Sequence, residues 1–197
     1  MKKILTDTYS PFAQKLAQIY KIMDERYKKA ADYYGFECKG CNDNCCMTRF
    51  YHHTYLEYFY ILKGYKKLES EKQSEIMSGA VEVCREDRLA HEKNIKIRVM
   101  CPFNFDGLCI LYDYRPMICR LHGIPHELNR PGTGIVHGLG CEFFTKECGG
   151  KDYYKFDRTG IYVEMAQLEK QLKEAVNIKE KIKMTVAEMV ISYQAVS

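Results

Sequence analysis

The sequence predicts a mainly α-helical protein, a helical frame around an irregular cysteine-rich core with a small β-hairpin. Three observations point there. Apolar residues recur at three- and four-residue steps in segments on both sides of the centre, the period of an amphipathic helix. All ten cysteines fall between Cys38 and Cys148, with none in the first 37 or the last 49 residues. An Asp106-Gly107 step separates two apolar runs, a strong hairpin signal. No internal repeat divides the 197 residues. One domain over 1–197 is therefore expected, with a cysteine core at 36–148 and flanking helical segments at 1–35 and 160–197.

The first helix is expected from Ser10, a capping residue, with Pro11 at its first position. Phe12, Leu16, Ile19, Met23, Tyr27, Ala30 and Tyr34 form its stripe, and Gly35 stops it. The turn formers Gly40, Asn42, Asp43 and Asn44 make 36–53 a loop. Thr54 with Glu57 has the capping-box spacing for a helix ending near Gly64. Ser70 with Gln73 repeats it for a helix to about His91, with Ile76, Met77, Ala80, Val81 and Cys84 on its apolar face. A strict two-residue loop at Asp106-Gly107 pairs Asn104 with Cys109. It would put Cys101 and Cys109 on opposite faces, so their sharing one centre would require a bulge or a longer turn. Pro116 suits the first position of a short helix. Segment 123–150, rich in Gly and Pro, is expected to be irregular. Two further helices are expected, from about Ile161 to Val176 and from Thr185, boxed by Glu188, to about Ala195.

Composition excludes several classes. Apolar residues at 46% and charged residues at 28% are ordinary for a globular chain, not a fibrous or disordered one. No run approaches the roughly 18–20 apolar residues of a membrane span. No apolar run follows Lys2-Lys3, so a secretory signal is not expected and a cytoplasmic location is. The net charge of +4 is too weak to imply a nucleic-acid partner. The run Lys179–Lys183 fits a linker or a solvated face.

Clustered cysteines in a reducing compartment more often bind metal or do redox chemistry than form disulfides. The first cluster is Cys38-Lys-Gly-Cys41-Asn-Asp-Asn-Cys45-Cys46; Cys101, Cys109, Cys119 and Cys141 follow. A C-x2-C turn brings two sulfurs within reach of one metal. Structural zinc usually uses two such pairs, and this chain has one. Adjacent Cys45 and Cys46 are awkward ligands for one small tetrahedral ion. An iron–sulfur cluster tolerates dispersed ligands, so spacing tilts toward iron–sulfur and leaves zinc open. Cys84 has the setting of a small buried hydrophobe, and Cys148 could be either. Arg115 and Arg120 flank Cys119 and could offset thiolate charge. The first turn of the Pro116 helix would favour a Cys119 thiolate. His122 could be a ligand or an acid–base group. The His52-His53 pair, just before a helix cap, suits a surface, with ligation as the alternative.

The order C-x2-C-x3-CC, Glu57 on a helix, Cys101-Pro-Phe, then Gly107-x-Cys109-Ile-x-Tyr112-x-x-Arg115-Pro116-x-x-Cys119-Arg120 resembles the YkgJ-like cysteine-cluster family, described as zinc- or iron-chelating. The match spans roughly 36–145. The resemblance implies metal ligation by Cys38, Cys41, Cys45, Cys46, Cys101, Cys109 and Cys119, more weakly by Cys141, and a basic motif at Arg115, Pro116 and Arg120. It extends distantly to the cysteine region of flagellin lysine methylases, but no Gly-rich S-adenosylmethionine fingerprint and no radical C-x3-C-x2-C string is present.

The expected function is that of a cytosolic protein carrying an iron–sulfur cluster, most readily [4Fe–4S], for electron transfer or a redox reaction with an unknown protein or small-molecule partner. A zinc-stabilised binding module is one alternative. A cluster-dependent, methyltransferase-like modifying enzyme is another, with Arg115, Arg120 and His122 on the cofactor and substrate side and no catalytic residue assigned. A thioredoxin-like reading lacks the βαβ pattern.

Overall fold

The computed structural model describes residues 8–38, 45–95 and 98–194. It is mainly helical, with two antiparallel hairpins. Helix α1 (Ser10–Tyr34) starts one residue earlier than the cap reading required: Tyr9 is the N-cap, and no side chain caps the turn. Ser10 is thus the first helical residue, with Pro11 behind it. Gly35 ends the helix at φ 57°, the left-handed turn that glycine adopts without strain. The buried stripe is rotated toward Ala13, Leu16, Tyr20 and Met23, while Phe12 and Ile19 sit at its margin. Leu16 and Met23 are fully buried, each contributing roughly 1.5–3 kcal/mol.

Helix α2 (Tyr55–Tyr65) is capped as its sequence predicts, Thr54 Oγ1 accepting the Glu57 N–H at 3.2 Å. The reciprocal half of the box is missing because Glu57 is engaged elsewhere, as described below. Glu169 supplies extra caps from α6 (Thr159–Ala175), its two oxygens accepting the N–H groups of Tyr55 and Leu56 at 3.0 Å each. Helix α3 (Ser70–Glu92) has Glu69, not Ser70, as its N-cap. Gln73 donates instead to the Leu68 carbonyl at 2.7 Å. Of its expected stripe Ile76 and Ala80 are buried, whereas Val81 is exposed.

Strands β1 (Asn104–Phe105) and β2 (Leu108–Cys109) pair in the predicted register, Asn104 opposite Cys109. Asp106 and Gly107 both adopt positive φ, 50° and 83°, as a tight two-residue turn requires. A 3-10 turn (Tyr112–Tyr114) precedes α4 (Met117–Leu121), whose N-cap is Pro116. Segment 123–150, expected to be irregular, contains hairpin β3 (His126–Arg130)–β4 (Gly134–Gly138) and helix α5 (Glu142–Cys148). Its glycines make turns instead of preventing structure: Gly132 and Gly134 take φ 81° and 74° beside the hairpin loop. Helix α7 (Val186–Gln194) has a complete capping box, with Thr185 N–H to Glu188 at 2.7 Å and Glu188 N–H to Thr185 Oγ1 at 3.3 Å. It packs on α3, while α1 packs on α4 and α6.

Gly64 shows how tightly α2 meets the cysteine segment. A β-carbon there would lie 2.4 Å from the Tyr114 ring. That ring cannot retreat freely, because it packs on Tyr60 and its hydroxyl accepts from Lys67 at 2.8 Å. In an open helix Gly→Ala stabilises by about 1 kcal/mol. Here overpacking of about 1–3 kcal/mol opposes that gain. Gly64→Ala is therefore expected to lower the melting temperature; a rise would show that Tyr114 yields.

Candidate metal centre

Cys45 and Cys46 lie in turns that follow residues 39–44, and Cys101 opens another turn. The two segments are tied by the Cys101 N–H bonded to the Cys46 carbonyl at 2.8 Å. Cys109 ends β2, and Cys119 lies in α4. Glu57 anchors the start of α4, its Oε1 accepting the Met117 N–H at 2.9 Å while Oε2 accepts the Thr54 hydroxyl at 2.7 Å. This is the engagement that diverts Glu57 from its own helix cap. The five thiols of Cys45, Cys46, Cys101, Cys109 and Cys119 line one cavity of about 70 Å³, with Arg115 beside them. Ile61, Phe103, Leu111 and Val186 give it apolar walls. A single water-sized occupant needs about 10–15 Å³, so the space is several times larger.

The hairpin has no bulge, yet Cys101 and Cys109 line the same cavity. The expectation that they would face apart extended strand alternation too far. Strand β1 begins only at Asn104, and the chain turns before it, the Asn104 N–H bonding the Cys101 carbonyl at 3.0 Å. Two-residue alternation does not carry through a turn.

The thiols share charge unequally. Cys46 is held down to about 3, first by hydrogen bonds from the Cys101 and Cys45 thiols and then, against its burial, by Asn104 and the Arg115 guanidinium. Asn104 Nδ2 is itself buried without a hydrogen bond of normal geometry. Cys101 and Cys45 are pushed up because each donates to Cys46 and is buried. Burial raises Cys109 to about 11 and also raises Cys119, with neighbouring thiols adding to both. Of the five thiols, Cys46 is the one whose surroundings favour the thiolate. Against the expectation that the start of α4 and its arginines favour a Cys119 thiolate, burial pushes that thiol up, with Arg115 opposing.

The two arginines have different surroundings. Arg115 lines the cavity, stacks on the Tyr112 ring at 3.5 Å and lowers the thiols of Cys45, Cys46, Cys109 and Cys119. Arg120 is absent from the cavity lining. It is buried, stacks over Tyr20 at 4.2 Å, and donates to Asp24 at 2.6 Å, to the Arg115 carbonyl at 2.8 Å and to the Asp113 carbonyl. It fastens the cysteine motif to α1. His122 is also absent from the lining; its ring packs on Phe50, and burial beside Arg158 and Arg98 favours the neutral form.

His52, expected with His53 at the surface and with ligation as the alternative, is placed inside. It is buried, lines the cavity and pairs its backbone with Met184, N–H to carbonyl at 2.8 Å and carbonyl to N–H at 3.0 Å. Its Nδ1 lies 3.9 Å from Glu57 Oε1. Burial lowers His52 to about 4 and raises Glu57, so both shifts oppose an ion pair. No local signal separates His52 from exposed His53, because the burying segment lies at Met184.

Cys38 is exposed and Cys141 caps α5, its Sγ accepting the Phe144 N–H at 3.4 Å; neither lines the cavity. Cys41 lies outside the described residues. Cys148 is buried and donates to the Tyr34 carbonyl at 3.5 Å, and Cys84 lies half-buried on α3. Among the described residues no group of three or more His, Cys, Asp and Glu side chains is gathered as it stands to hold a metal ion. The donor set suits a soft metal in kind. Comparison with protein-family models, curated proteins and solved structures gives no match.

Proposed function

We propose that this chain binds a thiolate-ligated metal centre, an iron–sulfur cluster, in the cavity, and that the centre serves electron transfer or a redox reaction. The observation that carries the reading is the meeting of five cysteines from four separate segments around one cavity beside Arg115. Single buried cysteines pack as small hydrophobes. Five together raise one another's cost of ionisation, an arrangement that packing alone does not require. The space exceeds one ion. The resemblance of the motif to chelating cysteine-cluster proteins points the same way.

Cys45, Cys46, Cys101, Cys109 and Cys119 are the ligand candidates. A bound cluster supplies reversible one-electron acceptance. Arg115 offsets the negative charge that ligation creates. The apolar walls limit water. The Glu57 bond to α4 holds Cys119 against the cavity.

Metal and acid-labile sulfide analysis of protein purified without oxygen tests this. Iron and sulfide in equal, stoichiometric amounts are expected, with visible absorption. Zinc without sulfide or colour would overturn the redox reading and leave a zinc-stabilised binding module. Because hydrogen bonds to Cys46 and burial favour the protonated forms of Cys45 and Cys101, and burial those of Cys109 and Cys119, loading the metal-free protein is also expected to release several protons per centre. A pH-stat titration reads this directly, and a release near zero would exclude ligation by the protonated thiols.

A further inference from the structure

Cys38 and Cys141 stand apart from the five cavity thiols, yet the fold brings their segments together. Phe36 packs its ring on Phe143 and Phe144 at 5.9 and 5.2 Å. The Cys141 N–H bonds the Gly123 carbonyl at 3.1 Å. Gly123 in turn abuts Phe36 and the Tyr27 hydroxyl so closely that a β-carbon would lie 3.3 and 3.2 Å from them. Tyr27 is within the electrostatic reach of both sulfurs. Gly123 is thus a hub over which residues 36–38 and 140–144 meet.

The same hub carries a buried cation. Arg158 is 1% exposed and forms no ion pair among the described residues. It donates to the Leu121 carbonyl and to the Ile124 carbonyl at 3.2 Å, on either side of Gly123, and its Nε has no partner. These two bonds fix the backbone on either side of Gly123, and exposed Cys38 is the thiol open to a disulfide in solution.

We propose that Cys38 and Cys141 form a second, separate thiol site that closes to a disulfide by exchange with a small-molecule disulfide. Exposed Cys38 attacks one sulfur of the small disulfide, breaking its S–S bond and releasing one small thiolate. Cys141 then attacks the Cys38 sulfur of the mixed disulfide, forming the internal bond and releasing the second thiolate. Two protein thiols are oxidised, the small disulfide is reduced to two thiols, and the two protons leave with them. The product would staple the end of α1 to the start of α5.

The test treats the whole protein with oxidised glutathione and maps disulfides by mass spectrometry. Trypsin cleaves after Lys39, so the peptides of Cys38 and Cys41 separate. A dominant Cys38–Cys141 link is expected, absent from Cys38→Ser and Cys141→Ser, with the cavity thiols still alkylated as in the parent. A Cys38–Cys41 link, a Cys38–cavity link, or a persistent glutathione adduct on Cys38 would overturn the proposal. Loss of bound iron in Cys38→Ser would also overturn it, by making Cys38 a ligand of the main centre. A protein without iron would sink the cluster reading and leave this test unchanged.

Discussion

Arg120→Ala is expected to destabilise the protein by about 2–4 kcal/mol, lowering its melting temperature by roughly 5–15 °C. The substitution strands the Asp113 and Arg115 carbonyls and opens space under Tyr20. Both carbonyls are part-buried, so each costs toward the low end of the roughly 1–3 kcal/mol of a stranded buried acceptor. The Asp24 bond adds little, because that carboxylate is 46% exposed and screened by solvent. Arg120→Lys is expected to rescue poorly, since an ammonium cannot reach both carbonyls and the carboxylate in one planar fork. Arg115→Ala should behave differently. It is expected to change the stability by less than about 1 kcal/mol. If Arg120→Ala melted like the parent, its assignment as a latch would fail.

Cys46→Ser is expected to remove the thiolate on which the cavity is organised. In the metal-free parent, alkylation of Cys46 by iodoacetamide should change little between pH 5 and 8. An ordinary thiol reacts about tenfold faster per pH unit over that range, because its thiolate fraction rises. The serine variant should lose this pH-insensitive phase and bind iron only at background level. The linkage has a definite sign. With Cys46 held near 3 in the folded chain against an ordinary 9, the unfolded chain binds more protons between those values. The stabilisation is thus full above about pH 9 and falls as pH drops toward 3. The stability difference between parent and Cys46→Ser should shrink on acidification. A difference that grows would place the thiolate on another cysteine.

Features set by neighbouring residues were legible in the sequence. Asp106-Gly107 imposes its register within four residues, Thr54 and Thr185 cap helices that begin beside them, and Gly35 ends α1 by its own backbone freedom. The cysteine segments stood out by composition alone, and five of the seven expected ligands among the described residues line one cavity. What was hidden depends on partners far along the chain. Glu57 has the spacing of a cap, yet its partner is Met117. Arg120 sits in a metal-binding pattern, yet its carboxylate is Asp24 on α1. His52 is buried by Met184, and Cys141, spaced like a late ligand, is used as a helix cap. Hairpin β3–β4 escaped notice because Leu128 is its one buried apolar residue while Ile135 and Val136 are exposed, leaving no core-facing alternation to read.

Thr185, Val186 and Ala187 close one side of the cavity, about 140 residues after Cys46. On a ribosome adding about 5–20 residues per second, the first thiols emerge roughly 7–30 s before the wall that covers them. Through that interval the cysteine segments are open to solvent, oxidants and any metal donor. The order of synthesis therefore makes loading a race: a donor that meets the nascent chain finds open ligands, whereas one that arrives later meets a cavity with its α7 wall in place.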